Sequence, residues 1–86
     1  MTSVEFTPKA EKQLSKLDNS VQKSIKKWKE ELETLENPKS RGKALSSNLK
    51  GFWRYRVNDY RLICEIQDDK LIVLVLEIAH RKNIYD

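Results

Sequence analysis

The stretch FWRYRVNDYRLICEI, residues 52–66, decides the fold, because it reads as two β-strands joined by a tight turn. Aromatic and aliphatic residues alternate with arginines as far as Asn58-Asp59, and a similar alternation follows that pair. A repeat of two is typical of a strand with one buried face. A polar pair between two such runs favours a two-residue hairpin loop. We therefore predict strands at about 53–57 and 60–67.

The hairpin register follows from the length of that loop. A two-residue loop places Arg56 opposite Arg61 and Arg54 opposite Ile63. Residues directly opposite each other in a ladder point to the same side of the sheet. One side is then apolar and consists of Trp53, Tyr55, Val57, Tyr60, Leu62 and Cys64. The other side carries Arg54, Arg56 and Arg61, and we call it the arginine face.

A third strand is expected at about 71–79, after the turn signal Asp68-Asp69-Lys70. A three-residue loop at 68–70 puts Glu77 and Arg81 on the arginine face, with Glu77 near Arg61. A loop with an even number of residues would drive Glu77 into the apolar side. Burial of an unpaired carboxylate costs several kcal/mol, which is comparable to the whole stability of a small domain. We therefore predict the three-residue loop.

The N-terminal half predicts a short strand in SVEFT, residues 3–7, followed by two helices that form an antiparallel hairpin. Thr7-Pro8 is a helix start, and Asn37-Pro38 ends the second helix. Residues 39–51 read as a polar connector. The apolar stripes are Ala10, Leu14 and Leu17 on the first helix and Val21, Ile25, Trp28, Leu32 and Leu35 on the second. The expected fold is α+β: a short N-terminal strand and a helical hairpin packed on one face of a mostly antiparallel four-stranded sheet.

Composition indicates a single small domain spanning residues 1–86. The net charge of +4 favours an acidic partner such as nucleic acid. Cys64 is the only cysteine, so the fold needs no internal disulfide. No signal-peptide pattern opens the chain, and its longest apolar run, at 71–79, is too short for a membrane helix. We expect a cytoplasmic protein that does not contact membranes.

The arginine face has two interpretations, a solvated surface or a phosphate-binding site. The chain has twelve lysines and five arginines, yet four of the arginines fall on or beside this face. The guanidinium fork suits two-pronged phosphate contacts, which favours RNA or DNA. His80 is expected to point away from the arginines, and Tyr85 either stacks on a base or covers the sheet edge. The sequence contains no P-loop and no pattern of metal ligands.

WRYRVNDYRLICEI followed by LIVLVLEIAHRKNIYD resembles the RelE/ParE superfamily of bacterial toxins, and specifically its RelE branch. The similarity covers nearly the whole chain. It implies a ribosome-dependent endoribonuclease that cuts mRNA in the ribosomal A site and inhibits translation, without a cofactor or a metal. It also implies a cognate RelB-like antitoxin that holds the toxin inactive, and contact with operator DNA only through that complex.

The resemblance implies a role for each matched site residue. Arg61 matches the arginine that stabilises the phosphorane-like transition state, and Arg81 matches the second catalytic arginine. Tyr85 matches the C-terminal tyrosine that stacks on a base and orients the RNA. Arg54 and Arg56 match two RNA-binding basic positions, which are often lysines in the family.

The arginines at those two positions are a departure that affects the mechanism. A lysine there is the expected general base for the 2′-hydroxyl in RelE, whereas arginine stays protonated. The proton then passes to another group or to the ribosome, or catalysis relies on electrostatics. His80 and Glu77 are the local alternatives for a base.

Two rival functions fit the same resemblance. One is a ParE-like toxin that poisons DNA gyrase by binding it. The other is a catalytically degenerate module that binds its antitoxin and tunes operator binding.

Overall fold

A computed structural model of the chain describes residues 2–45 and 51–80. Within this part of the chain the predicted α+β class is confirmed. The elements are β1 (Ser3–Phe6), α1 (Pro8–Ser15), α2 (Asn19–Glu33), β2 (Lys43–Ala44), β3 (Phe52–Val57), β4 (Tyr60–Gln67) and β5 (Ile72–His80). Short 3-10 helices lie at Pro38–Arg41 and Asp68–Lys70.

The sheet has the strand order β1-β5-β4-β3-β2. β1 runs parallel to β5, and the other neighbours are antiparallel. The described sheet has five strands rather than the four predicted, because Lys43–Ala44 pairs with β3 inside the segment expected to be a connector. A two-residue strand shows no alternation of its own, so periodicity could not reveal it.

The helices begin and end close to their sequence signals. Thr7 Oγ1 accepts a hydrogen bond from Ala10 N at 3.2 Å, and Pro8 stands in the first turn, where a missing N–H is harmless. α1 ends before Leu17 and α2 ends before Leu35, so each helix is shorter than its apolar stripe. Both leucines still pack against the core from the turns that follow.

The core lies between the helices and one face of the sheet, on the side predicted to be apolar. Ile25 and Leu32 of α2 are almost fully buried against it. Tyr55 is 2% exposed; its hydroxyl donates to Pro38 O at 2.9 Å, and its ring meets Trp28 edge-on at 5.3 Å between centroids. The remaining buried core residues are Val4, Ala10, Val57, Leu62, Cys64, Val73, Val75 and Ile78.

The register of β5 against β4 corrects one prediction. Gln67 pairs with Ile72, so four residues rather than three separate the strands. That even loop would have buried Glu77, but an irregularity in the ladder leaves Leu76 unpaired between Val75 and Glu77. One extra residue reverses the alternation. The four-residue loop places Val73 and Val75 in the core, and the bulge that follows them returns Glu77 to the arginine face.

Side chains from the helices close the edges of the sheet next to β1. Glu33 Oε2 accepts from Val4 N at 2.9 Å on the outer side of β1. Gln13 Oε1 accepts from Ile78 N at 2.7 Å, where β5 extends past the end of β1. Backbone N–H groups that could recruit another strand are thereby satisfied.

No helix within 2–45 and 51–80 is both long and apolar enough to cross a membrane.

Candidate functional site

The arginine face has the predicted register. Across the β3–β4 hairpin Arg56 is opposite Arg61, and Arg54 is opposite Ile63. Tyr55 and Val57, which alternate with these arginines, are buried on the helix side, whereas Arg56 is exposed. Three cationic side chains therefore project from the side of the sheet away from α1 and α2.

The hairpin turn supports this arrangement locally. Asn58 has a positive φ of 54°, a conformation that asparagine adopts more readily than most residues. Its carbonyl oxygen accepts a hydrogen bond of 3.3 Å from Arg56 Nε. The backbone conformation of Asn58 thus fits a two-residue loop, and its carbonyl oxygen holds the Arg56 side chain.

Glu77 is not directly opposite Arg61, as the predicted three-residue loop would place it, but two residues away along the strand. Ala79 is the residue opposite Arg61, and Glu77 is opposite Ile63. The Glu77 carboxylate binds the Lys9 ammonium at 3.4 Å, an exposed contact in which the two side chains retain 44% and 65% of their accessible surface. This ion pair lies at the side of the sheet where α1 begins.

Lys43 is a basic residue of this face that the sequence reasoning missed. It pairs with Arg54, so its side chain projects on the same side of the sheet. Its neighbour Ala44 pairs with Trp53 and points to the helix side. The sequence signal for this position was weak, because Lys43 directly follows Gly42 in a segment that shows no alternation of polar and apolar residues.

The face is divided by charge. One rung of the sheet runs Lys43, Arg54, Ile63, Glu77 from β2 to β5. Ile63 is only 9% exposed although it lies outside the main core cluster. Within this rung the cations lie on β2 and β3, and Ile63 separates them from the Glu77 carboxylate on β5. The next rung of the same face carries a second carboxylate, Glu65 on β4, opposite Phe52. An anionic ligand is therefore attracted to the β2–β3 side, where Lys43, Arg54 and Arg56 lie.

His80 lies on the helix side, as predicted. It pairs with Tyr60, and the two rings meet edge-on at 5.2 Å between centroids. This contact faces away from Arg61, which weakens His80 as a base for chemistry on the arginine face.

Cys64 has the properties of a core residue. It is fully buried, and burial raises the pKa of its thiol well above the usual range. A thiolate is the nucleophilic form, so a thiol that resists ionisation is a poor nucleophile. Cys64 therefore belongs to the packing of β4, as expected.

Arg81 and Tyr85 lie outside the described residues, so their predicted roles stay predictions. In the described part of the chain, no three His, Cys, Asp or Glu side chains converge as metal ligands would. Among the described residues, the candidate site consists of Lys43, Arg54, Arg56 and Arg61.

Solved structures that match this fold include RelE toxins from bacteria and archaea. In the crystal structure of the RelBE2 toxin–antitoxin complex from Mycobacterium tuberculosis, a chain matches with 30% identity and a TM-score of 0.83, covering 93% of this chain and 98% of that one. The isolated RelE toxin from E. coli matches at 23% identity and TM-score 0.72 over 93% and 84% of the two chains. The archaeal RelE–RelB complex from Pyrococcus horikoshii matches at 18% identity and TM-score 0.75 over 96% and 98%. The fold is RelE-like.

Residues 4–85 match the family described as the ParE toxin of the type II toxin–antitoxin system parDE. The chain belongs to this family of toxins, in the RelE/ParE superfamily. The comparison of this chain with curated proteins found no match.

Proposed function

We propose that this toxin is a ribosome-dependent endoribonuclease that cleaves mRNA in the A site and inhibits translation. The observation that carries the proposal is the like-charged pair Arg56–Arg61 on the arginine face, beside Arg54. Like charges directly opposite each other destabilise a sheet, so the pair has a cost in the absence of a bound anion. A polyanion bound to the face would compensate both charges.

The chemistry that suits such a face is internal transfer within RNA. The 2′-oxygen of a nucleotide attacks the adjacent phosphorus and forms a new O–P bond, while the bond from phosphorus to the 5′-oxygen breaks. The products are a 2′,3′-cyclic phosphate and a 5′-hydroxyl, and the proton lost from the 2′-hydroxyl is balanced by one gained at the 5′-oxygen. Fixed cations stabilise the additional negative charge of the phosphorane-like transition state.

Within this reaction we assign the transition-state charge to Arg61 and Arg81, RNA binding to Arg54 and Arg56, and base stacking to Tyr85. An arginine cannot accept the 2′-proton, because its guanidinium remains charged. His80 faces the helix side, and Glu77 binds Lys9. We therefore infer that a group of the ribosome or of the RNA accepts the 2′-proton. This agrees with a toxin that cleaves mRNA only on the ribosome.

The proposed partner in the cell is a RelB-like antitoxin, since two of the matched structures are RelBE or RelE–RelB complexes. We propose that an acidic or amphipathic segment of it covers or displaces the groups around Arg61, Arg81 and Tyr85. Operator DNA is then contacted only through the complex, and the toxin acts in the cytoplasm. A complex whose antitoxin leaves the arginine face accessible would contradict this mode of neutralisation.

Expression without an antitoxin, followed by mapping of mRNA 5′ ends, tests the enzymatic proposal. Cuts should fall within translated codons, carry 5′-hydroxyl ends and require translating ribosomes. Cleavage should persist when EDTA is added to ribosomes kept intact by polyamines. Growth arrest without new mRNA ends would exclude the ribonuclease.

A ParE-like poison of DNA gyrase is the second candidate, and the family description in terms of parDE favours it. Gyrase supercoiling assays with the purified toxin separate the two functions. Inhibition of supercoiling together with intact mRNA would establish the second candidate.

A further inference from the structure

We propose that Lys43 is a fourth RNA-contacting cation, which binds the phosphate next to the one held by the arginines. This inference rests on the proposed function and extends its site onto β2.

The register places Lys43 within the site. Lys43 pairs with Arg54, so the two side chains leave the same side of adjacent strands, with Cβ atoms about 5 Å apart. Arg56 and Arg61 form the next pair along β3 on the same face. The four cations thus occupy two consecutive rungs.

Protection of the sheet edge does not account for this position. A lysine on an edge strand discourages pairing with other chains wherever it lies on that strand. Here it lies directly opposite an arginine, where like charges are destabilising. Both pairs of cations, Lys43–Arg54 and Arg56–Arg61, carry that cost on the same face.

The rest of the rung gives the RNA path a direction. Beyond Arg54 come Ile63 and then Glu77, whose carboxylate repels phosphate even with Lys9 beside it. Glu65 of β4 adds a second carboxylate on the same face, in the next rung. A phosphate chain that occupies Arg61 and Arg54 is therefore drawn toward β2, where Lys43 is exposed.

A lysine suits a contact that positions RNA. Its ammonium acts as a point charge on a flexible stem and does not reproduce the arginine fork. Lys43 is thus expected to add affinity and to align the strand, while the charge developed in the reaction is stabilised by arginines.

Salt dependence of RNA binding tests the proposal. The probe is a short fluorescent single-stranded RNA with 2′-O-methyl groups, which cannot be cleaved, titrated with the toxin over a series of KCl concentrations. Each phosphate contact contributes about −0.7 to the slope of log K against log salt for single strands. Lys43→Ala should therefore flatten the slope by about 0.7, and Lys43→Arg should preserve it.

Lys12→Ala is the matched control, because Lys12 is an exposed lysine of α1, an element packed on the other side of the sheet. It removes the same net charge and should leave the slope unchanged. If Lys43→Ala binds with the slope of the wild type, or if Lys12→Ala flattens it equally, Lys43 is not a contact. If the wild type itself shows no salt-dependent RNA binding, the inference about Lys43 fails, whereas the proposed function fails only if mapping of mRNA 5′ ends shows no ribosome-dependent cuts.

Discussion

Arg56 and Arg61 lie directly opposite each other across the β3–β4 hairpin, on the side of the sheet away from the helices. A sheet would be more stable with opposite charges at these positions. A bound anion would offset the repulsion between these two guanidinium groups. Such departures from local rules are expected at functional sites.

Replacement of Arg56 by glutamine tests this trade-off. The change removes one charge of the like-charged pair and keeps much of the side-chain stem. We expect an unchanged or slightly higher melting temperature, because cross-strand pairs contribute roughly 0.2–1 kcal/mol. The Arg56→Gln variant should also bind RNA more weakly than the wild type does. A clear loss of stability with unchanged RNA binding would show that Arg56 has a structural role instead.

Arg61→Ala should lower ribosome-dependent mRNA cleavage without unfolding the toxin. Loss of one preorganised donor to a developing negative charge typically lowers the rate on the order of 100- to 1,000-fold. Arg61→Lys should recover part of the rate, because lysine restores the charge and not the two-pronged geometry.

Arg41→Ala provides the matched control for that experiment. Arg41 is an exposed arginine of the 3-10 helix Pro38–Arg41, outside the strands that carry the arginine face. It binds Glu31 at 3.2 Å, and exposed ion pairs contribute little to stability. Cleavage should therefore be unaffected. Full activity of folded Arg61→Ala would contradict the ribonuclease assignment.

The sequence predicted the β3–β4 hairpin correctly because both strands alternate strictly and a two-residue loop leaves a single register. It did not predict the four-residue turn before β5, since the unpaired Leu76 restores the parity that the turn disturbs. Glu77 therefore lies on the predicted face, although the loop before β5 has four residues instead of the predicted three. The sequence did not predict that Lys43 lies on the arginine face, because β2 has only two residues and their pairing is determined by β3.

Cys64 predicts a loss of stability in alkali. Burial raises the pKa of its thiol in the folded protein above the ordinary value of 9.0, whereas the unfolded chain ionises near that value. The unfolded state therefore loses its proton first, so this contribution to stability is complete below about pH 9 and declines as the pH rises further. The unfolding free energy should fall by up to about 1.4 kcal/mol per pH unit for this one group.

Cys64→Ala isolates that effect. The variant is less stable at neutral pH because it leaves a small cavity, but its pH dependence above pH 9 should be shallower than that of the wild type. Urea unfolding of both proteins at several pH values between about pH 7 and pH 10 measures the difference. Parallel curves for the two proteins would show that the thiol titrates equally in both states.

Glu33 links α2 to the outer edge of the sheet, and its replacement should weaken the fold more than its partial exposure suggests. Its Oε2 accepts from Val4 N at 2.9 Å, and Val4 is only 4% exposed. Glu33→Ala leaves that backbone N–H without its acceptor, at a cost of about 1–3 kcal/mol in unfolding free energy. Glu33→Gln retains a side-chain oxygen in the same position and should lose distinctly less unfolding free energy.

Glu30→Ala, on an exposed position of the same helix, is the control for lost charge and helix propensity. The three variants are compared by urea unfolding, with native-state hydrogen exchange at Val4 as the local readout. Equal stability of Glu33→Ala and Glu30→Ala, with unchanged protection of Val4, would mean that this hydrogen bond does not hold the edge of β1.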